Sequence, residues 1–193
     1  MATDLFTRAE AAGVAWPLTT DRLTLRPFTP ADAETVWTWW GLPETTEWTG
    51  SIHATAADLC AAWSDRRAHL IVEADGVPVG DVCITMQDAW AQMGADRSVA
   101  EDSQAELGWN LHPDHRGRGY ATEAVRAAID LCFGRLGVHR IEAGAMADNA
   151  PSIAVMERLG LRREMYCVKE CLHRTRGWVD GVGYALLAEE WTG

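Results

Sequence analysis

The stretch His112-Pro-Asp-His-Arg-Gly-Arg-Gly-Tyr-Ala-Thr-Glu123 has the residue types and spacing of an anion site. Gly117 and Gly119 let the main chain come close to a ligand. A helix opening directly after them presents unpaired N–H groups and the positive end of its dipole, which together suit a phosphate. Arg116 and Arg118 add guanidinium groups, which fit a pyrophosphate or a ribose phosphate, in a chain whose formal net charge is −11. Two familiar glycine-rich phosphate loops fail on spacing. The P-loop needs a Gly-Lys-Ser/Thr that is missing here, and G-x-G-x-x-G fails because Thr122 stands where the third glycine belongs. Taken alone, the stretch could equally be a tight turn with solvated arginines.

Periodicity supplies the elements around the turn. Gln104 to Leu111 alternates as a strand leading into it, and a helix opens at Gly119 or Tyr120, carries Ala124, Ala128, Leu131 and Cys132 at helical spacing, and ends near Gly134. Upstream, Arg22 to Pro27 reads as a strand, and Thr29-Pro30-Ala31-Asp32 as the start of a helix through Trp40. Residues 41–54 read as a loop, and Thr55 caps a second helix over about Ala56 to Arg67. His69 to Ala74 and Val79 to Gln87 flank Asp75-Gly76, the strongest hairpin signal in the chain. After a polar loop over 88–103 and the Gln104 strand with its helix come a strand over His139 to Ala143 and a helix from Asn149 to Leu159, stopped by Gly160. Strands over about Arg163 to Leu172 and Trp178 to Leu187 complete an α+β pattern with a mixed sheet.

Composition narrows the function. The 193 residues, 48% hydrophobic and without repeats or linkers, predict one domain over 1–193, with 1–19 as an N-terminal tail that could join the fold. An excess of 28 acidic over 17 basic side chains repels nucleic acid and favours a cationic partner. Cys60, Cys83, Cys132, Cys167 and Cys171 are odd in number and scattered through apolar segments, as reduced core thiols would be. With no signal-peptide pattern and no apolar run long enough to span a bilayer, no membrane association and a cytoplasmic location are expected. No metal is expected either. Cys167 and Cys171 would stand about 13 Å apart along a strand, too far to share a zinc ion with His173. The crowd of Trp37, Trp39, Trp40, Trp48 and Trp63 reads mainly as core, with one or two left for a ligand pocket.

Arg116-x-x-Gly119-x-Ala121 resembles the pyrophosphate loop of the GNAT acetyltransferases. Asp21-Arg-Leu-Thr-Leu-Arg, Glu106-Leu-Gly-Trp-Asn-Leu-His-Pro, Asn149-Ala-Pro-Ser152, Leu159-Gly-Leu and Trp178-Val-Asp with Tyr184, Leu187 and Glu190-Trp191 follow the order of the branch that acetylates ribosomal-protein N-termini. The resemblance covers residues 20 to 191 and implies the GNAT fold, a mostly antiparallel twisted sheet of six to seven strands flanked by about four helices. It implies acetyl-CoA as cosubstrate, bound by Trp109, Asn110 and Leu111 along its pantothenate arm. The pyrophosphate would lie at Arg116, Gly117, Arg118, Gly119, Tyr120, Ala121 and Thr122, with Asn149 on the arm. The implied reaction is direct attack of an amine on the thioester in a ternary complex, with Glu106 as base or ammonium holder and a strand N–H, such as that of Leu111, on the carbonyl oxygen. The tyrosine that many members use as the acid is replaced by Met156, and the branch offers Ser152 instead. The implied acceptor is a protein or peptide N-terminal α-amine. A small amine (an amino acid, polyamine or aminoglycoside), a non-catalytic CoA-binding module and a longer acyl donor remain alternatives, and such a domain is compatible with a homodimer.

Overall fold

The structure is a computed structural model and describes residues 5–63 and 68–193. In chain order the elements are α1 (Leu5–Ala11), β1 (Leu18–Thr19), β2 (Leu23–Pro27), α2 (Ala33–Trp40), α3 (Pro43–Thr46), α4 (Ala56–Trp63), β3 (Ala68–Ala74), β4 (Val77–Gln87), β5 (Gln104–Leu111), α5 (Tyr120–Gly134), β6 (Arg140–Met146), α6 (Ala150–Arg158), β7 (Arg162–His173) and β8 (Gly177–Leu187). The strands form one sheet in the order β1-β2-β3-β4-β5-β6-β8-β7. Only β5 and β6 run parallel; the helix α5 carries the chain across between them.

The α+β class and the mixed, mostly antiparallel sheet are as the sequence predicts, but the counts are higher. Eight strands replace six to seven and six helices replace about four among the described residues. The additions are short. The two-residue β1 borrows its hydrogen bonds from β2, and the one-turn α3 sits inside the expected loop. The third, α1, belongs to the supposed tail. Its Leu5 and Ala9 are buried in the main core, while the Arg8 guanidinium donates to the carbonyl oxygens of Leu136 and Asp102.

Local signals set most boundaries. At the start of α2 the Asp32 carboxylate accepts from the Thr29 N–H, its hydroxyl and the Arg26 guanidinium, closing a short 3₁₀ turn over Pro30–Asp32 before the α-helix proper. Thr55 accepts from the Asp58 N–H and caps α4, which runs to Trp63; the expected continuation over 64–67 lies outside the described residues. Asp75 and Gly76 both take positive φ in the β3–β4 turn, as a two-residue hairpin requires.

Two apolar layers cover the sheet. Leu70, Val72, Val82, Ile84, Ala105 and Leu107 face α5 and the main core, whereas Ile71 joins Val36, Trp39, Trp40, Leu59 and Trp63 from α2 and α4 on the opposite face. Alternation along β3 and β4 therefore gives each face its own layer and sends Asp81 toward the tryptophans.

The feature that positions the site is a fork. β5 and β6 pair only over Gln104–Glu106 and Arg140–Glu142. Beyond that, β5 continues on β4 alone through Leu111 and β6 on β8 alone through Met146. The His112 N–H donates to the Val79 carbonyl, and the β4–β5 register has no shift. By antiparallel alternation, Gly108 and Asn110 then exchange bonds with Cys83 and Asp81, and the N–H and C=O groups of Leu107, Trp109 and Leu111 point into the fork. Gly80 permits this close pairing: a Cβ there would stand 2.3 Å from the Asn110 carbonyl oxygen.

Candidate active site

The fork opens onto a groove of about 1570 Å³ running from the α2–α3 side of the sheet to the start of α6. At its centre the chain leaves β5, makes a turn over Pro113–His115 held by the Asp114 N–H on His112 Nδ1, and enters α5 through Gly117 at φ +74° and Gly119 at φ +81°. Left-handed backbone at the N-cap needs glycine and directs the first N–H groups of α5 into the groove. Ala121 and Thr122 line it with them. An open strand edge that ends on a 15-residue helix N-terminus fits an extended arm joined to a pyrophosphate.

The structure brings Trp109, Asn110, Leu111, Arg116, Gly117 and Gly119 together along this groove, with Asn149 and Ser152 across the fork. Asn149 is buried and caps α6, its Oδ1 accepting from the Ser152 N–H at 3.3 Å, so its amide N–H groups sit on the atom that the cap does not use. Arg116 is fixed from the far side of the groove, donating to the Glu44 carbonyl at 3.2 Å. Three predicted residues lie apart from the lining. The Arg118 guanidinium turns back to the Asp114 carbonyl, Tyr120 packs under the Arg22 guanidinium at 5.0 Å, and Glu106 stands exposed at the fork with the Gln87 amide 3.4 Å from its carboxylate. Neither Arg118 nor Tyr120 lines the groove.

Several groove residues are not among those that the sequence marks for the site. Arg22, Arg126 and Arg158 line the groove. Arg22 also neutralises Glu123, an acid in the first turn of α5, with its guanidinium at 2.6 Å and its N–H at 2.9 Å. Burial acts to raise the Glu123 pKa, but hydrogen bonds from the Thr20 hydroxyl and from Arg22 outweigh it and hold the carboxyl below its ordinary value. The helix N-terminus is thus relieved of a competing negative charge. Nearby, burial followed by the charges of Arg118 and His112 lowers the His115 pKa and favours the neutral ring.

On the α2 face of the sheet the groove meets Asp81, which is 1% exposed. Its Oδ1 accepts from the indole N–H of Trp40 at 2.8 Å and of Trp39 at 3.1 Å. Its Oδ2 is buried and accepts no hydrogen bond, with the Asn110 amide as its polar neighbour. Burial, partly offset by these donors, pushes the pKa from the usual aspartate value up to about 7. The signal was present in the sequence: an aspartate inside the apolar run Val79-Gly-Asp-Val-Cys-Ile. Trp40 and Trp48 line the groove, while Trp39 and Trp63 are core. Met156, at 1% exposure, is core as well, so the position that carries a tyrosine in many GNAT enzymes has no part in the groove.

Fold and groove together define a transferase that binds an acyl donor carrying a phosphorylated, extended arm. The chain belongs to the GNAT acetyltransferase family: residues 22–162 match the model described as an acetyltransferase (GNAT) domain. It is 29% identical over 177 residues to p20, an uncharacterized N-acetyltransferase of Bacillus licheniformis, a match covering 91% of this chain and 98% of that one. It is 35% identical to the [ribosomal protein uS5]-alanine N-acetyltransferase of Escherichia coli over 86 residues, 45% of this chain and 44% of that enzyme. Among solved structures, spermidine N-acetyltransferase from Vibrio cholerae, in complex with CoA and spermine, superposes with a TM-score of 0.75 at 17% identity, covering 90% of this chain and 100% of that one. The protein is accordingly an acetyl-CoA-dependent N-acetyltransferase of the GNAT family, with an amine as acceptor. Among the described residues, no helix is long and apolar enough to cross a membrane, and no three His, Cys, Asp or Glu side chains gather as metal ligands.

Proposed function

We propose that the acceptor is the α-amine of a protein or peptide N-terminus, and that the transfer takes place where β5 parts from β6. The observation that carries the second point is the open edge of Leu107, Trp109 and Leu111 running onto the N-terminus of α5. The pantothenate arm pairs with that edge as an added strand, and the pyrophosphate rests on the N–H groups of Gly117 to Thr122. The thioester then lies near the fork, beside Glu106. In support of the acceptor, the 35% identical Escherichia coli enzyme is named for ribosomal protein uS5 alanine.

In this reading the amine nitrogen attacks the thioester carbonyl carbon, a tetrahedral intermediate forms, and its collapse breaks the C–S bond. Glu106 is exposed at the fork and accepts the ammonium proton through water. Ser152, across the fork from β5, returns a proton to the departing thiolate, and a fork-facing N–H such as that of Leu111 meets the charge on the carbonyl oxygen. The negative field of the chain concentrates cationic acceptors.

The test is titration calorimetry with acetyl-CoA, followed by thiol release on N-terminal peptides, amino acids, polyamines and aminoglycosides. Glu106→Gln should lower kcat about tenfold or more while acetyl-CoA affinity holds. Ser152→Ala should lower it less, since water replaces a hydroxyl. An unchanged kcat in Glu106→Gln removes its assignment as base, and release on small amines alone moves the acceptor to that class.

A further inference from the structure

Asp81 carries a buried carboxyl group that the transfer chemistry does not use. Its Oδ1 is saturated by two indole donors, yet Oδ2 is buried without a hydrogen bond, a state that ordinarily calls for a missing donor. The residue lines the groove on the face of the sheet opposite α5, and Trp40, bonded to it, brings aromatic surface to the same wall.

Position limits what Asp81 could meet. It is paired with Asn110, so it stands on β4, one strand beyond β5, while the fork lies on the other side of β5. With strands ~4.8 Å apart, its carboxylate is roughly 7–10 Å from a thioester in the fork. That is too far to hold the attacking nitrogen and about right for a second charge on the same molecule.

We propose that Asp81, framed by Trp39 and Trp40, binds a second cationic group of the acceptor, and that the enzyme prefers amines carrying another ammonium or guanidinium about five carbons from the one acetylated. The inference rests on the fork being the transfer site. The incoming cation displaces the Asn110 amide beside Oδ2, favours the ionised carboxyl, whose proton passes to solvent, and donates a charged hydrogen bond to Oδ2. A lysine at a peptide N-terminus and a free diamine share this spacing.

The test uses the full chain with CoA bound and two matched pairs of probes: 1,5-diaminopentane against pentylamine, and the amide of Lys-Ala-Ala against that of norleucine-Ala-Ala. Binding is followed by the two indole N–H resonances that Asp81→Asn displaces, and transfer by thiol release from acetyl-CoA. The member of each pair that carries the second charge should, in at least one pair, bind about tenfold or more tightly, as expected for a charged hydrogen bond, and the preference should fall toward unity in Asp81→Asn. The pair that discriminates identifies the source. Equal binding within both pairs, or a preference that survives in Asp81→Asn, overturns the inference. The wild-type comparison stands even if the variant does not fold. Failure of acetyl-CoA to bind, or transfer that is insensitive to the fork residues, would instead count against the transfer site itself.

Discussion

Replacing Asp81 by asparagine should remove a pH dependence from the stability of this protein. The unfolded aspartate is ionised above about pH 5, while the folded one keeps its proton to about 7 because burial disfavours the charge. A carboxyl whose folded pKa is raised stabilises the fold fully below the unfolded value, and the contribution is lost as pH rises through the folded value. Between pH 5 and 7 the loss is at most two pH units' worth, roughly 2–3 kcal/mol. For a chain of this length that is roughly 5–10 °C in Tm. Asparagine keeps a carbonyl oxygen for the Trp39 and Trp40 indoles and carries no charge. Urea unfolding of both proteins at half-unit steps from pH 5 to pH 8 isolates the effect, since their difference cancels other titrating groups such as His115. The variant should gain on the wild type from pH 5 to about pH 7 and the difference should level off toward pH 8. A difference constant within about 0.5 kcal/mol across that range would refute the view that Asp81 is buried and neutral-leaning.

Three further outcomes follow from the groove. Gly119→Val places a β-branched side chain at φ +81° and should abolish acetyl-CoA binding by calorimetry, with far-UV circular dichroism unchanged; unaltered affinity would sink the loop assignment. Gly80→Ala puts a Cβ 2.3 Å from the Asn110 carbonyl oxygen and should cost about 1–3 kcal/mol in urea unfolding, because main chain rather than a flexible side chain must yield. Arg22→Ala leaves Glu123 uncompensated at the start of α5 and should weaken acetyl-CoA binding several-fold; Glu123→Gln in the same protein should restore most of it, and no recovery would mean that Arg22 acts on the phosphates directly.

Legibility in the sequence followed the range of the forces involved. The Asp75-Gly76 turn, the Thr55 cap and the stop at Gly160, which sits at φ +78°, are set by residues within a few positions of one another and were read directly. Elements whose stability comes from distant partners were not. The seven residues of α1 hold because Leu5 and Ala9 are buried under the sheet and Arg8 reaches Leu136, 128 positions away. Isolated, so short a segment would not stay helical. In the site, the glycines and Arg116 belong to one continuous stretch and were found together, whereas Arg22 meets Glu123 across 101 positions.

The sequence by itself determined the chemistry that local geometry controls: a left-handed glycine entry to a helix, its outward N–H groups and, through the resemblance, the donor they bind. The tertiary structure decided everything that depends on which strands part and which side chains face each other. Pairing between β5 and β6 stops after Glu106, which opens the donor edge and leaves that carboxylate exposed at the fork. Asp81 reads in the chain as one acid in an apolar strand. Only the packing of α2 over the sheet brings two indoles from 41 and 42 positions away onto one of its oxygens and leaves the other buried in the wall of the groove. Burial and electrostatic environment are properties of the assembled neighbourhood, and no local run of residues specifies them.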